Sequence, residues 1–164
     1  MSEKLITCIW YDRGQAKAAA EFYMTLGLPD SRIEQVLNSP TDNPSVKTGE
    51  ELFVNFTLCG RAFAGLNGGP AFPQTEAVSI MVVTEDQAET DRLWDAIIGN
   101  GGTENACGWC KDRWGVNWQI TPRVMLDYLA DTANNPARSK AVFEAMNTMI
   151  KIDIAKLEAA ASHY

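Results

Sequence analysis

The sequence contains the same pattern twice, and this internal repeat limits the fold more than any other feature. A β-branched, aromatic run at 5–11 precedes a helical stretch that begins near Asp12 and ends at Gly27. A shift of 72 positions places Gln15-Ala16 on Gln87-Ala88, Gly27 on Gly99, Phe22 on Trp94 and Thr7 on Ser79. Because the strand and helix periods both recur in register, we interpret the chain as a duplicated strand–helix–three-strand unit.

Each copy contains further predicted strands, and the end of the chain is helical. In the first copy we expect strands at 32–37, 52–58 and 62–67, the last of them stopped by Gly68-Gly69-Pro70. In the second copy we expect a strand at 77–83, a helix at 86–98, and strands at 109–111 and 116–121. Helical segments at 124–129, 136–150 and 153–161 follow. The sequence therefore predicts one domain over 1–122, with halves at about 4–70 and 76–122, and a helical extension over 123–164.

Composition excludes several classes of function. The formal net charge of −7 leaves no basic field for nucleic acid, so we expect no nucleic-acid partner. No apolar run is long enough to span a bilayer, and four cysteines do not make a disulfide scaffold, so we expect a cytoplasmic protein without a membrane partner. The single histidine, His163, is penultimate, which argues against a multi-histidine metal site or a Ser–His–Asp triad.

Short motifs along most of the chain resemble one protein family. They are Cys8-Ile9-Trp10-Tyr11-Asp12, residues 19–23, Asp30-Ser31-Arg32-Ile33, residues 64–70, residues 91–95, Cys107-Gly108-Trp109, residues 111–116, Trp118-Gln119-Ile120 and residues 151–155. Together they resemble the PhnB-like branch of the vicinal oxygen chelate superfamily, which includes glyoxalase I, bleomycin-resistance proteins and extradiol dioxygenases. Members often carry the label 3-demethylubiquinone-9 3-methyltransferase. The resemblance implies an α+β fold in which two βαβββ modules form curled mixed sheets around a cavity, followed here by C-terminal helices.

The resemblance also implies where relatives hold a divalent metal, namely on the first and fourth strand of each module. The matching positions are Thr7, Asn67 or its neighbour Leu66, Ser79, and Gln119. These neutral side chains provide no charge to offset the desolvation of a dication, so we expect no metal cofactor. If the metal-binding positions are displaced by a residue or two from those assigned here, a metal-dependent lyase or dioxygenase remains an alternative. The carboxylates that could then intrude are Glu21, Glu76, Glu104 and Asp112.

Without a metal, the cavity is expected to bind a small organic molecule between a polar floor and aromatic walls. The candidate ligand-binding residues are Thr7, Asn67, Ser79, Trp109 and Gln119. Two alternatives remain: these side chains satisfy one another in a filled cleft, or the protein is a non-catalytic interaction module. Whether the chain is an enzyme stays open. Gly68-Gly69-Pro70 does not open a helix, so the sequence gives no support to S-adenosylmethionine-dependent methyl transfer. The resemblance further implies a homodimer.

Two further motifs have structural and functional interpretations. Cys107-Gly108-Trp109-Cys110 has the spacing of a redox or zinc motif, but we favour two reduced thiols in or beside a hairpin. Lys111-Asp112-Arg113 could clamp an anion, but we favour a tight turn whose aspartate bonds nearby backbone. Because Asn117 and Gln119 alternate with Trp118, we expect Trp118 to face a helix.

Overall fold

Each half of the chain forms a four-stranded mixed sheet with a helix packed on one face. The structure is a computed structural model that describes residues 4–164. The chain divides into two compact units, one ending at Gln74 and the other running from Thr75 to Tyr164. Both sheets are open, and both have the same strand order. This confirms the predicted α+β class with two βαβββ modules, and its agreement with the 72-residue repeat supports a duplication.

The first unit contains one helix and four strands. Its elements are β1 (Thr7–Tyr11), α1 (Gln15–Thr25), β2 (Arg32–Asn38), β3 (Glu51–Leu58) and β4 (Arg61–Asn67). The strand order is β1-β4-β3-β2, in which β1 and β4 are parallel and the other pairs antiparallel. Cys59 and Gly60, both at positive φ, make the tight β3–β4 connection that the sequence indicates.

The second unit repeats this plan and adds the C-terminal helices. Its elements are β5 (Ile80–Thr84), α2 (Gln87–Gly99), β6 (Thr103–Glu104), β7 (Trp109–Lys111), β8 (Asn117–Pro122), α3 (Arg123–Ala130), α4 (Pro136–Met146) and α5 (Ile154–Ala161). The strand order is β5-β8-β7-β6, in which β5 and β8 are parallel and the other pairs antiparallel, as in the first unit. Asp86 caps α2 by accepting a hydrogen bond from Glu89 N, and Asp153 caps α5 in the same way from Lys156 N.

The C-terminal helices form a second small core of their own. Its buried members are Met125, Val142, Met146, Met149, Ile152, Leu157 and Ala161. The helices contact one another, and α3 also contacts β8, so the segment after Pro122 belongs to the second unit. The division of the chain at Pro122 into a domain and an extension stays a prediction.

Strand alternation gives each sheet a helix-facing side and an open side. In the first unit, Ile9 and Tyr11 face α1: the Tyr11 hydroxyl lies 3.1 Å from the hydroxyl of Tyr23 on that helix. Gly65 on β4 faces the same way, since a Cβ there would lie 3.0 Å from the Ala16 Cβ. The lack of a side chain at Gly65 therefore lets α1 approach the sheet closely.

Candidate functional site

The open side of the second sheet brings three of the five candidate residues together. In the antiparallel pairing of β7 and β8, Trp109 lies opposite Gln119. Gln119 Nε2 donates a 2.7 Å hydrogen bond to the Oγ of Ser79, which comes immediately before β5. All three side chains are half-buried. An aromatic ring thus stands beside a polar pair, the usual composition of a small-molecule site.

The other side of this sheet is a packed core. Trp118 and Ile120 alternate with Gln119 on β8 and are completely buried, and β8 contacts α2. The prediction that Trp118 faces a helix is therefore confirmed. The alternation leaves Gln119 on the side away from α2.

A cavity of about 300 Å³ adjoins the open side. Its lining residues are Glu76, Asn105, Ala106, Cys107 and Trp109. Trp109 is shared between the cavity and the polar pair, so a molecule in the cavity would pack against the same ring. No sequence pattern indicates Asn105 and Ala106, because the loop before β7 has no periodicity that predicts the direction of its side chains.

An ion pair borders the cavity. Lys111 lies opposite Asn117 in the β7–β8 register and on the same side as Trp109, and its Nζ lies 2.8 Å from Glu76 Oε1. The hydrogen bond from Lys111, a bond to the backbone of Glu76 itself and the Lys111 charge hold the pKa of the Glu76 carboxyl below its usual range. Glu76 is therefore a carboxylate at neutral pH, and its negative charge is paired with the positive charge of Lys111.

Asp112 is a structural residue of the turn between β7 and β8. Its Oδ1 accepts hydrogen bonds from the backbone N–H groups of Trp114 (2.9 Å) and Val116 (3.0 Å). Its Oδ2 accepts a 3.0 Å bond from Trp118 Nε1. The carboxylate is 3% exposed, so it holds the turn instead of facing a ligand. The tight-turn interpretation is confirmed for Asp112, whereas Lys111 lies in β7, just before the turn.

The remaining two candidates, Thr7 and Asn67, belong to the first unit and lie on its helix-facing side. Thr7 is exposed and lies two residues before Ile9, on the same side of β1, while Asn67 is fully buried opposite Tyr11. The Asn67 side chain accepts a 3.0 Å bond from Ala16 N and donates a 2.9 Å bond to Glu51 O. The open side of this sheet carries other residues, Leu66 among them. A ligand-binding role for any of the five residues stays a prediction.

A larger cavity of about 910 Å³ lies in the first unit, between the start of α1 and the loop before β3. None of the five candidate residues lines it. Its charges bond within the unit: Lys47 Nζ donates to Asp42 at 3.0 Å, and Glu50 Oε2 accepts from Lys47 N at 2.6 Å. Because Arg13 and Lys47 line this cavity together with Glu50 and Glu51, charges of both signs are present and it indicates no particular ligand.

The two cysteines of the Cys107–Cys110 motif differ in environment. Cys110 is buried opposite Trp118, and burial, with the charges of Asp112 and Glu104, raises its pKa to about 12. Cys107 lies in the turn before β7 at φ +60° and lines the small cavity. Both thiols are free. A thiol with a pKa of about 12 is a poor nucleophile at neutral pH, in contrast to a redox dithiol.

Two four-stranded βαβββ modules are the fold that the resemblance to vicinal oxygen chelate proteins implies. The family model described as 3-demethylubiquinone-9 3-methyltransferase matches residues 3–121. The chain therefore belongs to this family.

Solved structures show the same fold. One is a PhnB protein from Bacillus cereus that is described as a 3-demethylubiquinone-9 3-methyltransferase. It is 26% identical to this chain, the match covers 73% of this chain and 99% of the other, and the TM-score is 0.63. A protein from Pseudomonas aeruginosa is 20% identical over 74% of this chain and 98% of its own, with a TM-score of 0.57. No curated protein matches the sequence. In the part of the chain that the structure describes, no helix is both long and apolar enough to cross a membrane.

The divalent metal that the resemblance implies does not fit the side chains present. On the second sheet, Ser79 and Gln119 are neutral and bond to each other. In the first unit, Asn67 uses both ends of its amide within the protein. Among residues 4–164, no three His, Cys, Asp or Glu side chains are grouped so that they could hold a metal ion. We therefore derive no chemical step through a metal.

Proposed function

We propose that this protein binds a small organic molecule on the open side of the second sheet, without the metal of its relatives. The observation that carries the proposal is the Gln119–Ser79 hydrogen bond beside Trp109 and the 300 Å³ cavity. Ser79 Oγ accepts the bond from Gln119, which leaves the Ser79 proton and Gln119 Oε1 as one donor and one acceptor for a ligand. The Trp109 ring supplies an apolar surface for the rest of the molecule.

Binding is better supported than the methyl transfer in the family description. S-adenosylmethionine-dependent transfer usually uses a glycine-rich loop between a strand and a helix. Here Gly68-Gly69-Pro70 follows β4, and the next regular element is a strand, β5. The proposed site also contains no group poised to transfer a proton, since Gln119 and Ser79 are paired with each other and Glu76 with Lys111.

The experiment is a thermal-shift screen of small aromatic acids, amides and phosphonates, followed by variants. A ligand that binds the native state must raise the melting temperature. We expect the rise in the wild type and in Gln35→Ala, an exposed control on β2, and at most half of it in Gln119→Ala and Trp109→Leu. No rise with any compound, or a full rise in both site variants, would refute the proposal.

Homodimer formation and a cytoplasmic location are further proposals. Val78, two residues before β5, and Met81, on that strand, are 74% and 48% exposed, and such apolar surface favours a partner. Light scattering tests the dimer: a monomeric mass at working concentration contradicts it. Cell fractionation tests the location.

A further inference from the structure

We propose that the ligand of this face is a small organic anion, whose carboxylate or phosphonate replaces the Glu76 carboxylate on Lys111 while its planar part packs on Trp109. The inference rests on the proposed function and adds the charge and size of the ligand. The Lys111–Glu76 pair beside the cavity carries it, because this pair already holds an organic anion, supplied by the chain itself, on the lysine.

Lys111 is the charged member of a neutral face. By strand alternation and register, the described residues on this side of the second sheet are Ser79, Met81, Val83, Thr103, Trp109, Lys111, Asn117, Gln119 and Thr121, of which Asn117 and Thr121 are only 3% exposed. Lys111 is the basic residue among them, and its side chain is 33% exposed. A ligand on this face would therefore meet one accessible cation.

Glu76 can leave Lys111 at small cost. It lies in a turn before β5, outside the sheet, and its side chain is 54% exposed. Exposed ion pairs contribute little to stability, and the released carboxylate would be solvated at once. An incoming anion keeps the Lys111 charge paired, so the exchange desolvates no unpaired charge. In the free protein Glu76 competes with the ligand for the lysine.

Strand geometry sets the size of the ligand. Trp109 and Lys111 are two residues apart on β7, which places their Cα atoms about 7 Å apart on the same side. A ring joined to its acid by a two-carbon chain can span that distance, and 3-phenylpropionate is the simplest such probe. The net charge of −7 disfavours nonspecific binding of anions, so a preference for the acid would reflect a local cation.

The experiment compares 3-phenylpropionate, 2-phenylethylphosphonate and the neutral 3-phenylpropionamide by calorimetry and amide NMR titration. We expect both anions to bind the wild type at least about fivefold tighter than the amide. Glu76→Gln removes the competitor and should tighten anion binding about threefold to tenfold. Lys111→Met should abolish the preference for anions. The control Lys140→Met removes an exposed lysine of α4 that is paired with Glu144, and it should change nothing.

The results distinguish failure of the anion assignment from failure of the proposed binding function. Equal affinities for acid and amide, with NMR shifts at Ser79, Trp109 and Gln119, overturn the anion assignment and leave the binding function intact. Equal losses of anion affinity in Lys111→Met and Lys140→Met also overturn it, because the effect would then be general charge. If none of these probes shifts the three residues but another compound of the thermal-shift screen does, the anion assignment alone fails; if no compound shifts them, both proposals fail. Unchanged melting temperatures of the variants show that the comparison is between folded proteins.

Discussion

Asn67 supplies a cap that α1 lacks in its own sequence. The N-cap position is Gly14, which has no side chain to accept a hydrogen bond, and Asn67 Oδ1 accepts from Ala16 N instead. The opposite end of the amide donates to Glu51 O, so one buried side chain ties α1 to β3 and β4. In the structure, Asn67 thus stabilises the packing of α1 against the sheet.

Asn67→Ala should lower the free energy of unfolding by about 2–3 kcal/mol, because it leaves a buried N–H and a buried carbonyl without partners. Urea denaturation measures the change. Thr7→Ala, at an exposed position on the same side of the sheet, is the control and should stay within about 0.5 kcal/mol of the wild type. A loss below 1 kcal/mol for Asn67→Ala would contradict the capping role.

The four thiols should react in an order set by exposure and pKa. Cys8 and Cys59 are exposed, Cys107 is half-buried, and Cys110 is buried with a pKa of about 12. Because only the thiolate reacts, Cys110 should resist a disulfide reagent at pH 8 until the protein unfolds. Its reactivity should rise only as the pH approaches 12, since the raised pKa keeps the proton on sulfur below that value.

Thiol titration with mass spectrometry checks this order, with Cys110→Ala as the control that removes the slow site. Rapid loss of Cys107 and Cys110 together under mild oxidant, reversed by thioredoxin, would restore the redox interpretation of the motif.

At the scale of elements, the repeat made the order of strands and helices predictable. The side of the sheet on which a single side chain lies was harder to predict. Gln119 lies on the open side because polar and apolar residues alternate along β8, and the pairing with Trp109 and the hydrogen bond to Ser79 bring those two residues beside it. The run 62–67 is almost uniformly small or apolar, so its pattern does not show which of Leu66 and Asn67 faces the helix. Only the contact with α1 decides it, and that contact is not local in sequence.

The observed ends of some strands and helices differ from the predicted ends, because tertiary contacts outweigh the local sequence preference there. The predicted strand at 77–83 begins at Ile80, because pairing with β8 starts at Trp118. The helix predicted over 136–150 ends at Met146, and the carbonyls of Met149 and Ile150 bond the turn before β7 instead of continuing it. The two-residue β6 has no pattern of its own and exists through its pairing with β7.

Gln87 fastens the C-terminal segment to α2. Its Oε1 accepts a 2.8 Å bond from Ile154 N, and its Nε2 donates to Ile152 O at 3.1 Å. Lys151, bonded to Asp91 at 2.8 Å, adds an exposed ion pair beside it. We expect Gln87→Ala to speed amide exchange at Ile154 and along α5 about tenfold, since it removes two hydrogen bonds to backbone.

Hydrogen exchange followed by NMR measures this effect, and Gln35→Ala is the matched control in the first unit. Exchange in α5 at the wild-type rate would show that the apolar cluster alone holds the helix.

At the scale of the whole molecule, the family match ends at residue 121 while the candidate site depends on residues beyond it. The carbonyls of Met149 and Ile150 accept hydrogen bonds from Cys107 N (2.8 Å) and Gly108 N (2.7 Å), and Cys107 packs against the C-terminal cluster. Gly108 has φ +78°, and a Cβ there would lie 2.8 Å from Ile120 O and 2.9 Å from Ile152. The C-terminal segment therefore positions the loop that lines the small cavity.

This support can be weakened at one buried residue. Ile152 is 1% exposed in the cluster, and Ile152→Ala should cost about 2–4 kcal/mol of unfolding free energy. Amide exchange at Cys107 and Gly108 should quicken, and binding of 3-phenylpropionate should weaken, while Val54 in the first unit keeps its protection. Phe143→Ala, at a 49% exposed position on α4, should change neither. Unaltered exchange at Cys107 and Gly108 in Ile152→Ala would mean that the loop holds its shape without the helices, and the cavity would then depend only on the part of the chain that the family model matches, residues 3–121.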